Sequence, residues 1–465
     1  MSKFFEAVVN IFKIPDLRKR VLFTLGLLAV YCLGGNIPTP GVDATKLEAF
    51  FEQNQATFFG FLDMFSGGMF RRLTVFALGI MPYITASIIL QLLTVVVPAL
   101  EKLQKEGELG RRKITQWTRY LTVGLALVQS FGIALTLQNA QGGFVVNPGI
   151  GFVLLTMMSL TTGTAFIMWL GEQISERGIG NGMSLIIFTG IVRGLPNAII
   201  EMVTNVRTGN WNFFQVLMIV AMMVVVVGFI VLVERGERRI PVQYAKRMVG
   251  RRMLGGQSTH LPLKVNAGGV IPVIFASSLL AIPQSFLQID WVKNSVWLKS
   301  MLESIGNGEV LYYLLYTVGI VFFCFFYISI IFNPNEAADN MRKYGGFIPG
   351  IRPGRNTADY LNKILTRITM VGGLYLAILS LIPEMMIVGV KLHHLPFVNN
   401  WVDATFPRFI LDGLGVSFYF GGTSLLIVVG VAMDTVNQIE AQLIMRHYEG
   451  FTPRSGRIRG RRSAF

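Results

Sequence analysis

Residues 77–90 read ALGIMPYITASIIL, and residues 267–280 read AGGVIPVIFASSLL. Seven of the fourteen paired positions are identical, including Gly79 with Gly269 and Pro82 with Pro272. Shared membrane-helix composition is one explanation, but here proline and glycine recur in register. The two segments lie in long apolar runs that we interpret as the second and seventh membrane spans. Because the two spans are five apart in the order of spans, an odd offset, the copies cross in opposite directions, which predicts two five-helix halves of inverted topology.

The composition is that of a polytopic membrane protein. The 465 residues are 52% apolar and only 14% charged, against roughly 25% charged residues in soluble domains. Such a chain could not cover a soluble surface, which excludes cytosolic and secreted globular enzymes. A helix needs about 20 apolar residues to cross a bilayer, so we predict an all-α fold of ten spans. The apolar runs are Val21–Val42, Leu73–Leu100, Tyr120–Gly171 (two spans, divided at Asn147–Gly149), Gly178–Ile200, Thr208–Val233, Val265–Ile289, Val310–Asn335, Ile368–Val390 and Gly413–Met433.

The basic residues divide unequally between the two sides of these spans. One side carries 32 of the 41 Lys and Arg residues and the other carries 8, with Arg193 inside the fifth span. The positive-inside rule then places both termini in the cytoplasm. We predict an N-terminal half over 1–200, a C-terminal half over 201–433 and a cytoplasmic tail over 434–465. The basic cytoplasmic loops 234–265 and 333–367 suit phosphate, RNA or an acidic protein face, although attraction to anionic lipid is an alternative.

Charge is nearly absent within the spans, where Arg193 and Glu384 are the exceptions. Ion-coupled transporters usually retain ionisable groups there. Instead, Ile80 and Ile84 share a helix face, and Ile274 matches Ile84 in the repeat. Such aliphatic side chains can close a pore by dewetting, although ordinary helix packing is an alternative.

Catalytic chemistry is not expected from the motifs. The chain lacks a GxxxxGK[ST] loop, so energy from ATP would have to come through a partner. His393 and His394 lack neighbouring ligands at metal-site spacing. We therefore expect no enzyme activity, no metal and no cofactor.

Several long motifs resemble bacterial members of the SecY family, the channel subunits of protein translocons. The matching segments are GGNIPTPGVD (34–43), FALGIMPYITASIILQLLTVV (76–96), EGELGRRKITQWTRY (106–120), MWLGEQISERGIGNGMS (168–184), QSTHLPLKVN (257–266), FIPGIRPG (347–354) and FGGTSLLIVVGVAMD (420–434). The resemblance implies two five-helix halves around an hourglass pore. Preproteins would pass through this pore unfolded, and hydrophobic segments would leave sideways into lipid. A secondary transporter of a small solute is the alternative function.

The resemblance also implies a set of functional residues. The pore ring would consist of Ile80, Ile84, Met183, Ile187, Ile274 and Ile427. A plug over 61–72 would include Phe61, Leu62, Met64, Phe65, Ser66, Gly67 and Gly68. A lateral gate would carry Thr85, Ser87, Gln91, Ser277, Ser278 and Gln284. Docking of partners would use Arg238, Arg239, Lys246, Arg247, Arg251, Arg252 and Arg352.

The implied partners are the subunits SecE and SecG, the SecA ATPase, and the ribosome with its RNA. Unfolded preproteins and their signal sequences would be the substrates, and membrane lipid would surround the chain. The implied location is the bacterial inner membrane.

Overall fold

The computed structural model describes residues 14–53, 63, 66–139, 143–209, 211, 213–244, 247–249, 252–254, 258–286, 295, 297, 302, 304, 306, 309–388 and 422–449. Helices dominate this part of the chain. They are α1 (Pro15–Gly34), α2 (Ala44–Gln53), α3 (Met81–Val96), α4 (Pro98–Lys105), α5 (Glu108–Asn139), α6 (Ile150–Arg177), α7 (Gly182–Arg207), α8 (Phe213–Glu234), α9 (Ile271–Phe286), α10 (Val310–Ile331), α11 (Pro334–Lys343), α12 (Arg355–Val388) and α13 (Gly422–Glu449).

The helices agree with the predicted membrane spans. Within the described residues, seven are long and apolar enough to cross a membrane, and the bent pair α3–α4 forms an eighth candidate. With α1 and the shorter apolar helix α9, the helices are consistent with ten spans. The chain is thus a multi-pass membrane protein, and the predicted helical class is confirmed.

Two predicted spans were too long. The first predicted span runs to Val42, but α1 ends at Gly34, shortly before Pro38 and Pro40. The second was predicted as one helix over 73–100, but residues 75–80 form turns before α3. The chain then bends by 100° between α3 and α4. Val97 is extended at this bend because the following residue, Pro98, disfavours helical backbone in the residue before it.

The helices pack in two groups whose contacts correspond. In the first group, α3 packs on α5, α5 on α6, and α6 on α7, while α1 contacts α6 and α7. In the second, α9 packs on α10, α10 on α12, and α12 on α13, while α8 contacts α13. The groups meet where α7 contacts α13 and where α3 contacts α9. These corresponding pairs are the packing that the predicted repeat requires. The division at residue 200 stays a prediction, and α7 continues to Arg207.

A small sheet, which the all-α prediction did not include, lies in the long basic loops. Its strands are β1 (Glu237–Tyr244), β4 (Ser258–Lys264) and β5 (Gly346–Phe347), in the order β4-β1-β5. β1 pairs antiparallel with β4, from Glu237 opposite Lys264 to Gln243 opposite Ser258. Strands β2 (Arg247–Val249) and β3 (Arg252–Leu254) form a separate ladder.

An apolar cluster fixes this sheet to the helices. Ile240 of β1 and Leu263 of β4 pack with Leu361, Ile364 and Leu365 of α12. Both loops and the start of α12 therefore form one packed unit.

Candidate functional site

The two copies of the repeat share one backbone geometry. Residues 75–80 form turns ahead of α3, and residues 265–270 form turns ahead of α9. Gly79 has φ +56° and Gly269 has φ +58°, a left-handed conformation that glycine adopts without steric cost. Each helix then starts two residues later, at Met81 and at Ile271. The repeat predicted from sequence is therefore present in the structure, and it brings the starts of the two helices to equivalent places.

Five isoleucines of the predicted ring lie in one buried cluster between the halves. They come from the start of α3, from α7, from α9 and from α13. The members are Ile80, Ile84, Ile187, Ile274 and Ile427, each at most 8% exposed. All five belong to a single contiguous cluster although up to 347 residues separate them in the chain. Residues from both halves thus meet in one buried hydrophobic cluster, which also includes aromatic side chains such as Phe275 and Tyr316. The arrangement of the five isoleucines as a pore ring stays a prediction.

Met183, the sixth predicted ring member, is partly buried and packs against the same cluster. Its sulfur lies only 2.4 Å from the place that a Cβ on Gly171 would occupy. The glycine therefore makes room on α6 for the methionine side chain. Asn181 supports this position because its side-chain oxygen caps α7 and accepts a hydrogen bond from the Met183 N–H at 3.1 Å.

The cluster also contains many residues that the sequence did not predict as ring members, among them Ile191 and Met69. Ile191 is one helical turn beyond Ile187 and is only 2% exposed. A four-residue spacing from a ring residue could have identified it. Met69 is equally buried in the cluster, but it lies in the segment between α2 and α3, where no periodic signal exists.

The end of the predicted plug lies against α7 and against the turn before α3. The backbone of Gly67 approaches that of Gly190 so closely that a Cβ on Gly67 would lie 2.2 Å from the Gly190 carbonyl oxygen. The Cα of Ser66 lies 3.8 Å from the Cβ position of Gly79. Since Gly79 precedes Ile80 and Gly190 precedes Ile191, the segment lies directly beside the isoleucine cluster. Phe61, Leu62, Met64 and Phe65 are outside the described residues.

Hydrogen bonds hold the end of this segment in shape. The Asp63 carboxylate accepts a hydrogen bond from the Arg71 N–H at 2.9 Å and lies 3.7 Å from the Arg71 guanidinium. The Asp63 carbonyl oxygen accepts bonds from the Ser66 hydroxyl and the Gly68 N–H. The chain that leads from the plug to α3 therefore begins with a turn that hydrogen bonds stabilise.

The predicted gate residues lie on α3 and α9, two helices that contact each other across the halves. The hydroxyls of Thr85 and Ser277 donate to carbonyls of their own helices, and Gln91 donates to Ser87 at 3.4 Å. Among the described residues, the buried Ser278 hydroxyl and the side-chain oxygen of Gln91 have no hydrogen-bond partner. The side chain of Gln284 is not among those that the structure describes. Which gate residues pair stays open.

The predicted docking residues lie in the two basic loops. Arg238 and Arg239 are exposed on β1, where Arg239 forms an ion pair with Glu237 at 2.5 Å. Arg352 is exposed in the turn before α12. Lys246 and Arg251, as well as the side chains of Arg247 and Arg252, lie outside the description. The same holds for the His393–His394 pair, and the described residues contain no metal-type cluster of His, Cys, Asp or Glu.

Two repeat-related helical halves that meet in a shared buried hydrophobic cluster define a multi-pass membrane protein built as an inverted repeat. Comparison with known proteins agrees with this class. The family model for SecY matches residues 74–436. The chain belongs to the SecY family.

Curated relatives match nearly the whole chain. It is 49% identical over 439 residues to "Protein translocase subunit SecY" of Escherichia coli (strain K12), covering 93% of each protein. It is also 49% identical over 458 residues to the protein of the same name from Streptomyces galbus, covering 96% of this chain and 99% of the relative.

Solved channel structures share the fold. A SecY structure whose plug domain is described as stabilising the closed state and maintaining a membrane seal matches with a TM-score of 0.62 and 17% identity, covering 93% of this chain and 94% of that one. Sec61 in the canine ribosome-channel complex matches with a TM-score of 0.59 and 16% identity over the same shares. The resemblance inferred from sequence is confirmed, and the comparisons give no support to a small-solute transporter.

Proposed function

We propose that this chain is the conducting subunit of a protein translocon, through which unfolded preproteins cross the membrane. The aliphatic cluster contributed by both halves is the observation that carries the proposal. A ring of isoleucines closes a narrow passage to water and ions by dewetting. The same side chains can yield to a polypeptide because they form no directional bonds. Met183, with its flexible side chain, would contribute to this ring beside the five isoleucines.

The segment ending at Gly68 acts as the plug in this proposal. Its contact with Gly190 supports this role, because it brings the segment beside Ile187 and Ile191. The described role of the plug domain in the solved SecY structure of the same fold gives independent support. Seated there, the segment reinforces the seal made by the ring.

Lateral exit between α3 and α9 would release hydrophobic segments into lipid. Partitioning drives this step, since apolar residues favour the bilayer and each charge at its centre costs roughly 2.5–3.5 kcal/mol on the insertion scale. The predicted gate residues Ser87 and Ser277 are bonded within their own helices, which is compatible with separation of α3 from α9. No covalent bond is formed or broken.

The exposed arginines of the basic loops would receive the cytoplasmic partners. Arg238, Arg239 and Arg352 can form charge-assisted hydrogen bonds to an acidic protein face or to RNA phosphates, which fits SecA and the ribosome. The solved canine Sec61 relative is in complex with a ribosome. SecE would hold the two halves together, with SecG at the periphery. The charge distribution of the loops supports an orientation with both termini in the cytoplasm, and the bacterial relatives support an inner-membrane location.

Replacement of two ring residues tests the seal. We expect the double variant Ile84→Ser, Ile274→Ser to conduct ions at rest in a planar bilayer, because hydroxyls allow water to fill the constriction. Ile219→Ser is the matched control, since Ile219 is 4% exposed on α8 and lies outside the central cluster. A resting current equal to that of the control would refute the seal. Reconstitution with SecA and ATP then tests transport, where uptake of a small solute without movement of preprotein would contradict the proposed substrate.

A further inference from the structure

Arg193 is a charged residue in the middle of α7 that the proposed channel does not use. Its Nη2 donates to the carbonyl oxygen of Gly35 at 3.2 Å and to the side-chain oxygen of Asn36. Gly35 is the C-terminal cap of α1, where helix carbonyls lack partners and a cation is favourable. Arg193, on α7, therefore caps the C-terminal end of α1.

The same guanidinium also packs beside the return segment of the plug. A Cβ on Gly35 would lie 2.2 Å from Nη1 of Arg193 and 2.3 Å from the terminal methyl carbon of Met69. The ends of both side chains thus lie over the α-carbon of Gly35, and a Cβ there would displace them from these positions. Met69 is 1% exposed and belongs to the central aliphatic cluster.

Arg193 is also close to the plug contact along its own helix. Gly190, whose carbonyl meets Gly67, is three residues before Arg193, and Ile191 of the central cluster is two residues before it. One helical turn of α7 therefore carries the contact to the plug, a cluster isoleucine and the cap of α1. A movement of α1 away from α7 would disturb all three.

We propose that Arg193 is a positioning residue for the closed channel, a role that rests on the plug and ring proposed above. By capping α1 and packing beside Met69, Arg193 holds α7 where Gly190 receives the end of the plug. Among the described residues its Nη1 has no hydrogen-bond partner, so the two acceptors on Gly35 and Asn36 carry the polar contact. Loss of those contacts frees α1 from α7 and favours the unseated plug.

Two variants test the positioning role by different means. Arg193→Leu removes the cap, and Gly35→Ala keeps the guanidinium but places a methyl group 2.2 Å from the present position of Nη1, so that the guanidinium has to shift. We expect each to raise the open probability at rest about tenfold, since hydrogen bonds to charged groups are among the strong ones in proteins. Each should also increase export of a preprotein with a defective signal sequence. Arg207→Leu is the control, because it removes an exposed arginine from the same helix.

The readouts separate positioning from general stabilisation. A purely structural role would lower the amount of folded protein and its melting temperature without raising resting current or relaxing signal-sequence selection, and that result would overturn the inference. Wild-type gating in both Arg193→Leu and Gly35→Ala would also overturn it. The Ile84→Ser, Ile274→Ser variant is measured in parallel. If that variant leaks while Arg193→Leu does not, the inference fails and the proposed function stands.

Discussion

Alanine at Gly67 should unseat the plug, whereas alanine at Gly68 should do so far less. Both glycines have left-handed backbone, with φ of +69° and +80°. An L side chain in that region costs roughly 1–2 kcal/mol, and this penalty is common to the two variants. The difference lies in what the new methyl group meets.

The methyl group of Gly67→Ala would lie 2.2 Å from the carbonyl oxygen of Gly190, a backbone atom of α7. To reach ordinary contact distance, segment and helix must separate by about 1 Å or more. The nearest atoms that the methyl group of Gly68→Ala would meet all belong to the Arg71 side chain, the closest at 3.1 Å, and a side-chain shift of a few tenths of an ångström relieves this contact. We therefore expect Gly67→Ala to open the resting channel at least about tenfold more often than Gly68→Ala, a factor equal to about 1.4 kcal/mol.

Single-channel recording in planar bilayers measures this ratio directly. Both variants are purified in the same way, and equal amounts of protein are reconstituted. The export of a preprotein with a defective signal sequence provides a second readout. Equal resting open probabilities for the two variants would refute the reasoning, because the shared backbone strain would then account for the whole effect.

Further predictions concern the loops and the helix contacts. Arg352→Glu should impair SecA-driven export while leaving insertion of the chain itself intact, and normal export would contradict the docking role of Arg352. Leu361→Ala should destabilise the anchoring of the sheet by about 2–5 kcal/mol, the usual cost of truncating a buried leucine, since Leu361 is fully buried. Limited proteolysis should then cleave the basic loops faster, and an unchanged cleavage rate would exclude this anchor. Glu172→Gln should weaken the contact of α5 with α6, because Glu172 pairs with Arg119 at 2.6 Å. A melting temperature equal to that of Glu108→Gln, which alters an exposed pair, would argue against that contribution.

The central features of the fold were predictable because they depend on local residue types. The Gly and Pro residues shared by 77–90 and 267–280 indicated the repeat, and Gly79 and Gly269 both have left-handed backbone in the structure. Ile80 and Ile84 lie at helical spacing and Ile274 lies at the matching repeat position, so their common burial followed from the same pattern. The family resemblance extended this set to Ile187 and Ile427.

Other features depend on contacts that local patterns do not contain. Arg193 is a charge inside a predicted span, yet α7 is continuous there because the guanidinium finds acceptors on Gly35 and Asn36, more than 150 residues earlier. The sheet in the basic loops was missed because Pro241 and Pro262 both lie within its strands, and proline usually argues against a strand. Here the burial of Ile240 and Leu263 against α12 outweighs that preference.

The attachment of the sheet to α12 has a mechanical consequence. α12 is a single helix of 34 residues, which corresponds to a rod about 50 Å long. Near its N-terminal end this helix packs against residues of both basic loops. It also packs against α9, α10 and α13. A partner that displaces either loop must therefore tilt this rod, and the tilt reaches the helices carrying Ile274 and Ile427 without any change in their own secondary structure.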